Sequence, residues 1–447
     1  MSKNNPVGKG ASGDALFPAV RRLADRLILF LLLGGICLFI LYPMLCILWR
    51  SLQGEGGLTG DMYGVVWEQY GGSLRNSVFT ATCTSLLCTL FSTATALLIS
   101  TGRGWRRALG MGLLLITMVS PPFVSALAYI QLYGRRGWIT YRLLGLSWNP
   151  YNCWGVIWMQ SLSFVPVNAL FLIGMLSRMD RDSLMSARDL GAAPRDILRD
   201  VVLPLLRPGI LVCVLLSFVR SIADFGTPVT IGGRFTTIAS DIYLQLTGYS
   251  NLEKASAMNM FLLVPSVAAF FLYRWLMGKT GPVSGERAQQ QRLQLSLSRC
   301  GAAGWLALVT GGLFFGMIGL QYVCIVATGF IQRTRGALSF TTQYLEELLE
   351  YNSETMVRSV IYALIVALVG TLFAMLFSYY IYRRRVRWNT FFDCLATLPY
   401  MLPGTCFGIG YILAFNHPPL KLTGTAIIVL ANMLFKQLPT TTKICSA

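Results

Sequence analysis

The most distinctive polar stretch of the chain lies between two apolar runs, at residues 178–209. It combines two small residues four positions apart, Ala187 and Gly191, with arginines and aspartates such as Arg188 and Asp189. Residues four apart share one face of a helix, so this pair predicts a nearly bare face that a partner could approach closely. Charges of both signs favour a protein partner over an anionic lipid surface. From these residues alone, a solvated helical hairpin without a partner remains the alternative.

A second short helix is predicted within the same stretch. Pro194 suits a first helical turn, where a backbone N–H would have no partner in the helix. Val201 and Leu203 belong to an apolar flank, and Pro204 and Pro208 are expected to stop the helix before the next apolar run.

Ionisable side chains inside apolar runs are the second candidate for chemistry, because burying them in lipid is costly. Arg220 and Asp224 lie four apart in the run at 210–231 and can pair on one helix face. Gly226 and Pro228 follow and weaken the helix. We predict a pathway or gate for a polar substrate here, with a structural ion pair as the alternative.

The sequence offers little for catalysis or metal binding. His417 is the only histidine, the eleven cysteines form no CxxC pair, and most of them lie within or beside apolar runs. No GxxxxGK[ST] phosphate loop occurs. We therefore expect no catalytic residue, no metal ligand set and no cofactor bound by this chain, and a membrane-embedded enzyme is disfavoured.

These residues must be positioned by membrane helices. Of the 447 residues 54% are hydrophobic and only 13% are charged, against about 25% charged in soluble domains. The pattern predicts an all-α, polytopic membrane protein with about ten spans. Its net charge of +18 comes from basic clusters scattered between the runs, so a nucleic-acid partner is not expected. The predicted spans are 27–49, 78–100, 108–132, 154–176, 210–231, 255–278, 304–330, 357–382, 391–415 and 423–435.

The distribution of basic residues predicts the orientation. With the N-terminus inside, most of the 37 lysines and arginines fall in cytoplasmic segments, as the positive-inside rule requires. The first apolar run is too long for a signal peptide and has no small-x-small cleavage site, so it is predicted to remain as a span.

An internal repeat organises the spans. LRNSVFTA at 74–81 resembles MVRSVIYA at 356–363, and the same separation of 282 positions aligns Pro121 with Pro403. Two halves with parallel topology are therefore predicted, the second incomplete. The predicted division is a cytoplasmic segment at 1–26, a first half of six spans at 27–278, a cytoplasmic linker at 279–300, and a second half of about four spans at 301–447.

The polar stretch resembles the EAA motif of bacterial binding-protein-dependent ABC importer permeases. That motif reads E-A-A, three residues, Gly, nine residues, then I-x-L-P. The spacing here is the same, with Met185 in place of the Glu. The other matching positions are Ser186, Ala187, Gly191, Val201, Leu203 and Pro204. The segments ADFGTPVTIGG (223–233) and LPYMLPGTCFGIGYI (398–412) resemble the ferric-iron type of fused double permease.

The resemblance implies an inner-membrane, multi-pass permease whose loop at 178–209 seats in a cytoplasmic ATPase dimer. ATP and Mg²⁺ would bind to that partner, and a periplasmic binding protein would deliver the solute, with iron(III) the best match. Aminoethylphosphonate, thiamine, sulfate or a polyamine remain alternative solutes. An ion-coupled secondary transporter with two parallel repeats is a second alternative, although it would need buried acidic groups on several spans.

The second half departs from the family pattern. Gly191 lies 25 positions after Pro166, and Pro166 corresponds to Pro439, so the matching glycine would fall near position 464, beyond Ala447. The second half is thus expected to lack its coupling loop and last two spans. A truncated chain is the favoured explanation, and asymmetric engagement of the ATPase is the alternative.

Overall fold

The computed structural model describes residues 13–54, 57–120, 122–146, 149–177, 179, 181–279, 295–334, 337–384 and 386–446. Within these ranges the chain is helical apart from two short antiparallel hairpins. Several predicted features lie outside them, namely residues 1–12 of the N-terminal segment, Pro121, residues 178 and 180, the linker residues 280–294, and Ala447.

The elements of the first part of the chain run from a long entry helix to the helix before the linker. In order they are α1 (Gly13–Ile36), a π-helical turn (Cys37–Leu41), α2 (Tyr42–Ser51), β1 (Gln53–Gly54), β2 (Gly57–Leu58), α3 (Asp61–Thr101), α4 (Trp105–Val119), α5 (Pro122–Tyr133), a π-helical turn (Trp138–Leu143), α6 (Cys153–Ser177), α7 (Arg181–Asp189), α8 (Pro194–Asp196), a π-helical turn (Ile197–Val202), α9 (Leu203–Ala223), α10 (Gly226–Ile231), α11 (Ile238–Thr247) and α12 (Leu252–Lys279).

The elements after the linker follow a similar order. They are a 3₁₀ turn (Leu297–Arg299), α13 (Gly301–Phe330), β3 (Ile331–Thr334), β4 (Ala337–Phe340), α14 (Gln343–Ser378), a π-helical turn (Tyr379–Arg383), α15 (Asn389–Met401), α16 (Gly404–Phe415) and α17 (Ala426–Ser446).

The predicted internal repeat is present in the helices. Both α5 and α16 have 12 residues, and their starts lie 282 positions apart, the separation read from the sequence. Each follows a sharp bend, of 108° between α4 and α5 and 107° between α15 and α16. Tyr129 and Tyr411, at equivalent positions, are both buried. The predicted single spans at 108–132 and 391–415 are therefore broken helix pairs.

The last helix repeats α6 with a shorter connection before it. Pro166 lies 13 positions after the first residue of α6, and Pro439 lies 13 positions after the first residue of α17. The separation here is 273 rather than 282, so the connection between α16 and α17 is nine residues shorter than the one between α5 and α6. Pro166 and Pro439 thus correspond in the structure, as the sequence predicted.

Six described helices are long and apolar enough to cross a membrane, or eight segments when each bent pair is counted as one span. These match eight of the ten predicted spans. The other two predictions, 255–278 and 423–435, coincide with α12 and α17, which fall outside that set. Three helices begin well before the predicted spans: α3 at Asp61 rather than near residue 78, the helix containing α9 at Pro194 rather than 210, and α14 at Gln343 rather than 357. Hydropathy marks only the apolar part of a helix, and the first turns of α3 are polar.

The chain separates into two compact units. One comprises Arg50–Ser353 with Met401–Thr405, and the other Met1–Trp49, Glu354–Tyr400 and Cys406–Ala447. These units are defined by packing, whereas the predicted halves were defined by the internal repeat. The two divisions do not test each other, so the predicted boundaries of the halves remain predictions. In the first unit α3 is central and packs against α6, α9 and α13. In the second, Ile36, Ile40, Phe377 and Phe435 form the core.

Candidate functional site

A glycine-terminated helix opens the segment at 181–209. The N–H of Ala192 bonds to the Ala187 carbonyl at 3.0 Å, and the N–H of Gly191 bonds to the Arg188 carbonyl at 2.8 Å. This pair of bonds is a Schellman cap, with Gly191 at φ +82°, a left-handed conformation that favours glycine. The predicted bare helical face shared by Ala187 and Gly191 was wrong, because Gly191 ends the helix instead of continuing it.

The second short helix begins as predicted, but it does not stop. Pro194 occupies its first turn. The helix then continues through a π-helical turn at Ile197–Val202 into α9, so that Pro194–Ala223 forms a single helix of 30 residues. The prediction that Pro204 and Pro208 end it was wrong. Pro204 lies in the first turn of α9, directly after the wider π-helical turn, and Pro208 lies inside α9.

One side of the segment is anchored in the core of its unit. Ile197, Leu198 and Val202 are buried together with Leu295 and Leu297 from the stretch before α13. The Cys300 thiol donates to the Pro194 carbonyl at 3.4 Å, and burial raises the pKa of that thiol. Sequence reasoning missed this contribution, since no local pattern links positions about 100 residues apart.

The other side of the segment faces outward. Leu190, a large apolar side chain, is 88% exposed. Around it lie the exposed residues Arg188, Asp189 and Gly191. Further along, two exposed ion pairs form between sequence neighbours, Arg195 with Asp196 and Arg199 with Asp200. The surface is therefore an apolar protrusion surrounded by charges of both signs.

The seven motif positions divide between the two sides. Ala187, Val201 and Leu203 are half-buried and pack against the core. Pro204 is also half-buried, whereas Met185, Ser186 and Gly191 are exposed. The motif thus combines residues that fix the segment to the helices with residues that face outward.

Two layers of buried polar side chains hold α3, α6 and α9 together. In the first, the Gln160 carbonyl oxygen accepts from Ser221 at 2.6 Å and from Thr84 at 3.2 Å. In the second, the Asn168 amide donates to Ser217 at 2.6 Å, and Ser217 donates to the Cys88 sulfur at 3.4 Å. Each layer joins all three helices, and such bonds fix the rotation of one helix against another.

Asp224 terminates α9 instead of lying within it. Its Oδ2 accepts from the Gln160 amide at 3.0 Å, and its Oδ1 accepts from the backbone N–H groups of Gly226 at 3.0 Å and Thr227 at 3.3 Å. The carboxylate therefore caps α10, in which Gly226 and Pro228 are buried. The break in the backbone comes at Asp224, before the two residues that were expected to cause it.

Arg220 does not pair with Asp224. Among the residues that the structure describes, no ion pair joins them, and the predicted pairing was wrong. The guanidinium lies over the Phe164 ring at 4.7 Å, and its buried Nη1 has no hydrogen-bond partner. Because α9 ends before Asp224, the two side chains no longer share a helical face.

A third polar cluster lies between the polar first part of α3, around Ser73 and Ser77, and the start of α11. Asp241 is buried there, and the Ser73 and Thr236 hydroxyls hydrogen-bond to its carboxylate. Burial raises the pKa of the Asp241 carboxyl, and the two hydroxyls oppose that shift. Nearby, the Ser77 hydroxyl accepts from the Ile238 N–H at 2.9 Å, which fixes the start of α11 against α3.

Comparison with known proteins places this architecture. Residues 89–280 match the family described as "Binding-protein-dependent transport system inner membrane component". The chain is 27% identical over 438 residues to the ferric transport system permease protein FbpB of Actinobacillus pleuropneumoniae, covering 93% of this chain and 62% of that protein. It is 29% identical over 422 residues to a Haemophilus influenzae protein named provisionally as a ferric transport permease, FbpB 1, covering 90% of this chain and 65% of the relative.

A shorter relative matches less than half of the chain. The molybdenum transport system permease protein ModB of Mycobacterium bovis is 31% identical over 198 residues, covering 43% of this chain and 74% of ModB. The chain thus spans less than two thirds of the ferric permeases' length but about three quarters of ModB. The chain belongs to the family of binding-protein-dependent transport system inner-membrane components.

Proposed function

We propose that this chain is the transmembrane permease of an ABC importer and receives its solute from a periplasmic binding protein. A separate cytoplasmic ATPase dimer would supply the energy. The observation that carries the proposal is the outward side of the segment at 181–209. It presents Leu190, 88% exposed, on a capped helix whose other side is anchored in the core. An apolar residue surrounded by charges is the composition of a protein-docking site.

The proposed orientation places this segment and the N-terminus in the cytoplasm. The turn between α3 and α4, with Arg103, Arg106 and Arg107, lies at the same end of its unit as the segment, because the ends of α3 and α6 share a core with Ile197. Basic residues concentrate on the cytoplasmic side of membrane proteins, which supports this orientation.

Iron(III) is the proposed solute. Its support is the similarity along about nine tenths of this chain to two proteins named as ferric permeases. In this function the ion is cargo that passes through the chain. The candidate pathway residues remain Arg220, Asp224, Gly226 and Pro228, because they lie at or beside the break between α9 and α10.

The proposed mechanism moves α9 as one body. Closure of the ATPase dimer on ATP would displace the segment at 181–209, and the helix from Pro194 to Ala223 would carry that displacement to Asp224. The Gln160 and Asn168 layers would carry α3 and α6 with it, because each joins all three helices. Exposure of the pathway would then switch from one side of the membrane to the other.

Leu190 gives the sharpest test. A photo-crosslinking amino acid at position 190 is expected to capture the ATPase in membranes, whereas the same group at Leu143, which is 76% exposed, should not. Leu190→Ser should lower the amount of ATPase that co-purifies and the rate of uptake of radioactive iron, while Leu143→Ser changes neither. Crosslinks from position 190 to lipid alone, with uptake intact, would contradict the proposal.

Two further variants separate docking from folding. Gly191→Arg adds a side chain that meets open space, although its backbone is strained at φ +82°, so it should remain in the membrane and uncouple ATP hydrolysis from uptake. Ala187→Asp is less informative, since it would place a charge against the core.

A competition experiment tests the solute. If molybdate, but not unlabelled iron(III), inhibited the uptake of radioactive iron, the result would contradict iron as the solute.

A further inference from the structure

A crevice of about 1020 Å³ opens beside the turn that joins α3 to α4. Its walls come from the end of α3, the start of α4, the stretch 295–298 and the first half of α13. It is separate from the outward surface around Leu190 and from the candidate pathway at Asp224, and the proposed function leaves it unused.

The mouth of the crevice is basic. Arg103 and Arg106 line it and are exposed, and no carboxylate is found among its described lining residues. Neither arginine forms an ion pair with any residue that the structure describes. Trp105 lies between them, 70% exposed, and the Arg106 guanidinium lies 5.7 Å from the centre of its ring. Unpaired guanidinium groups bind phosphate oxygens, and tryptophan favours the headgroup level of a bilayer.

The floor of the crevice is apolar. Leu98, Leu109, Leu113, Leu308 and Phe315 line it. Leu109 is 54% exposed, so this side opens at the outer surface of the helices, which faces lipid in a membrane protein. Gly312 on α13 adds room, because a Cβ built there would meet no atom within 4 Å. A free anion would use the basic mouth and leave this apolar surface uncovered.

We infer that the crevice binds an anionic phospholipid, with the phosphodiester at Arg103 and Arg106 and an acyl chain along the apolar floor. A basic mouth joined to an apolar floor matches both ends of that molecule, and basic pockets between membrane helices are known to select such headgroups.

The bound lipid would contact the stretch that anchors the segment at 181–209. Leu295 and Leu297 line the crevice and share a buried core with Ile197 and Leu198. The Cys300 thiol also bonds to the Pro194 carbonyl. The lipid would therefore stabilise the position of the segment at 181–209. Lipid binding itself does not depend on the proposed transport function.

Native mass spectrometry of the full chain in detergent tests the proposal, with phosphatidylglycerol and phosphatidylcholine as probes. The wild type should retain one phosphatidylglycerol in preference to phosphatidylcholine. Arg103→Gln with Arg106→Gln should weaken phosphatidylglycerol binding about 30-fold, because each basic residue beside an anionic headgroup contributes a factor of about five. Gly312→Leu should abolish binding by filling the crevice while it keeps every charge.

Matched controls locate the effect. Arg135→Gln with Arg136→Gln removes the same charge from exposed residues outside the crevice, and Gly319→Leu adds the same side chain to α13, also into open space and outside the crevice. Both should retain the lipid. Equal retention by all variants, or no preference for phosphatidylglycerol, would overturn the inference. So would displacement of the lipid by inorganic phosphate, which would indicate an anion site. If the arginine variant fails to fold, Gly312→Leu alone decides.

Discussion

The Gln160 side-chain amide on α6 donates a hydrogen bond to the Asp224 carboxylate at the end of α9, at 3.0 Å. The same side chain accepts from Ser221 on α9 and from Thr84 on α3. One amide on α6 thus bonds to α3 and to the end of α9, and it holds the carboxylate that caps α10. A buried side chain with three hydrogen bonds therefore lies where α9 breaks.

Replacing Gln160 should destabilise the protein more than replacing an equally buried glutamine. Gln160→Leu removes three hydrogen bonds and leaves Asp224 partly unpaired, so we expect a loss of about 2 kcal/mol in the free energy of unfolding. Gln321→Leu is the control, since among the described residues the Gln321 amide hydrogen-bonds only to the Met159 sulfur, at 3.8 Å, and the change should cost less than about 0.5 kcal/mol. Equal losses in chemical denaturation would contradict this prediction.

A double-mutant cycle between Arg220 and Asp224 should give a coupling energy near zero, because no ion pair joins them. The cycle between Arg220 and Phe164 should give about 0.5–1 kcal/mol, since the guanidinium lies over that ring. Unfolding of the single and double alanine variants measures both. A coupling above about 1 kcal/mol for Arg220 with Asp224 would restore the ion-pair interpretation.

Leu297 should control the mobility of the segment at 181–209. It is buried with Ile197 and Leu198, and truncating such a leucine costs about 2–5 kcal/mol. Leu297→Ala should therefore increase trypsin cleavage after Arg195 and Arg199, detected by mass spectrometry of the fragments. Leu313→Ala on α13, where the side chain is 47% exposed, should leave the cleavage pattern unchanged. An unaltered rate for Leu297→Ala would show that the segment is held by other contacts.

Asp241 should make stability depend on pH. Burial raises the pKa of its carboxyl above the ordinary 3.8, so the folded state binds the proton more tightly than the unfolded state does. Its contribution to stability is therefore complete below pH 3.8 and is lost as the pH rises through the raised pKa.

Asp241→Asn tests this sign. The variant should lose that pH dependence and be at least as stable as the wild type at neutral pH, measured by thermal unfolding across the pH range. Asp200→Asn is the control, because the Asp200 side chain is 70% exposed. A variant that is less stable at neutral pH, with the pH dependence unchanged, would show that the bonds from Ser73 and Thr236 outweigh burial.

Features that depend on the apolar content of a segment could be predicted from the sequence. Features that depend on contacts between residues far apart in the sequence could not. The span at 154–176 differs from α6 by one residue at each end, because polar residues flank a continuous apolar run. The start of α3 was missed because its polar first turns carry no hydropathy signal.

The errors at the candidate site have different causes. Gly191 was placed on a helical face by its spacing from Ala187, although glycine often follows the last helical turn and this signal was present in the sequence. The pairing of Asp224 with Gln160 joins positions 64 apart, and no local pattern indicates it. Ile197 and Leu297, which are buried in the same core, lie still further apart in the sequence.

The continuity of the helix from Pro194 to Ala223 limits the order of events during transport. At about 1.5 Å per residue the helix is about 45 Å long, and its two internal prolines, Pro204 and Pro208, do not break it. A shift near Pro194 and a shift at Asp224 should therefore be simultaneous. Intermediates in which one end has moved and the other has not are not expected to accumulate, so spectroscopic probes at the two ends should report a single rate.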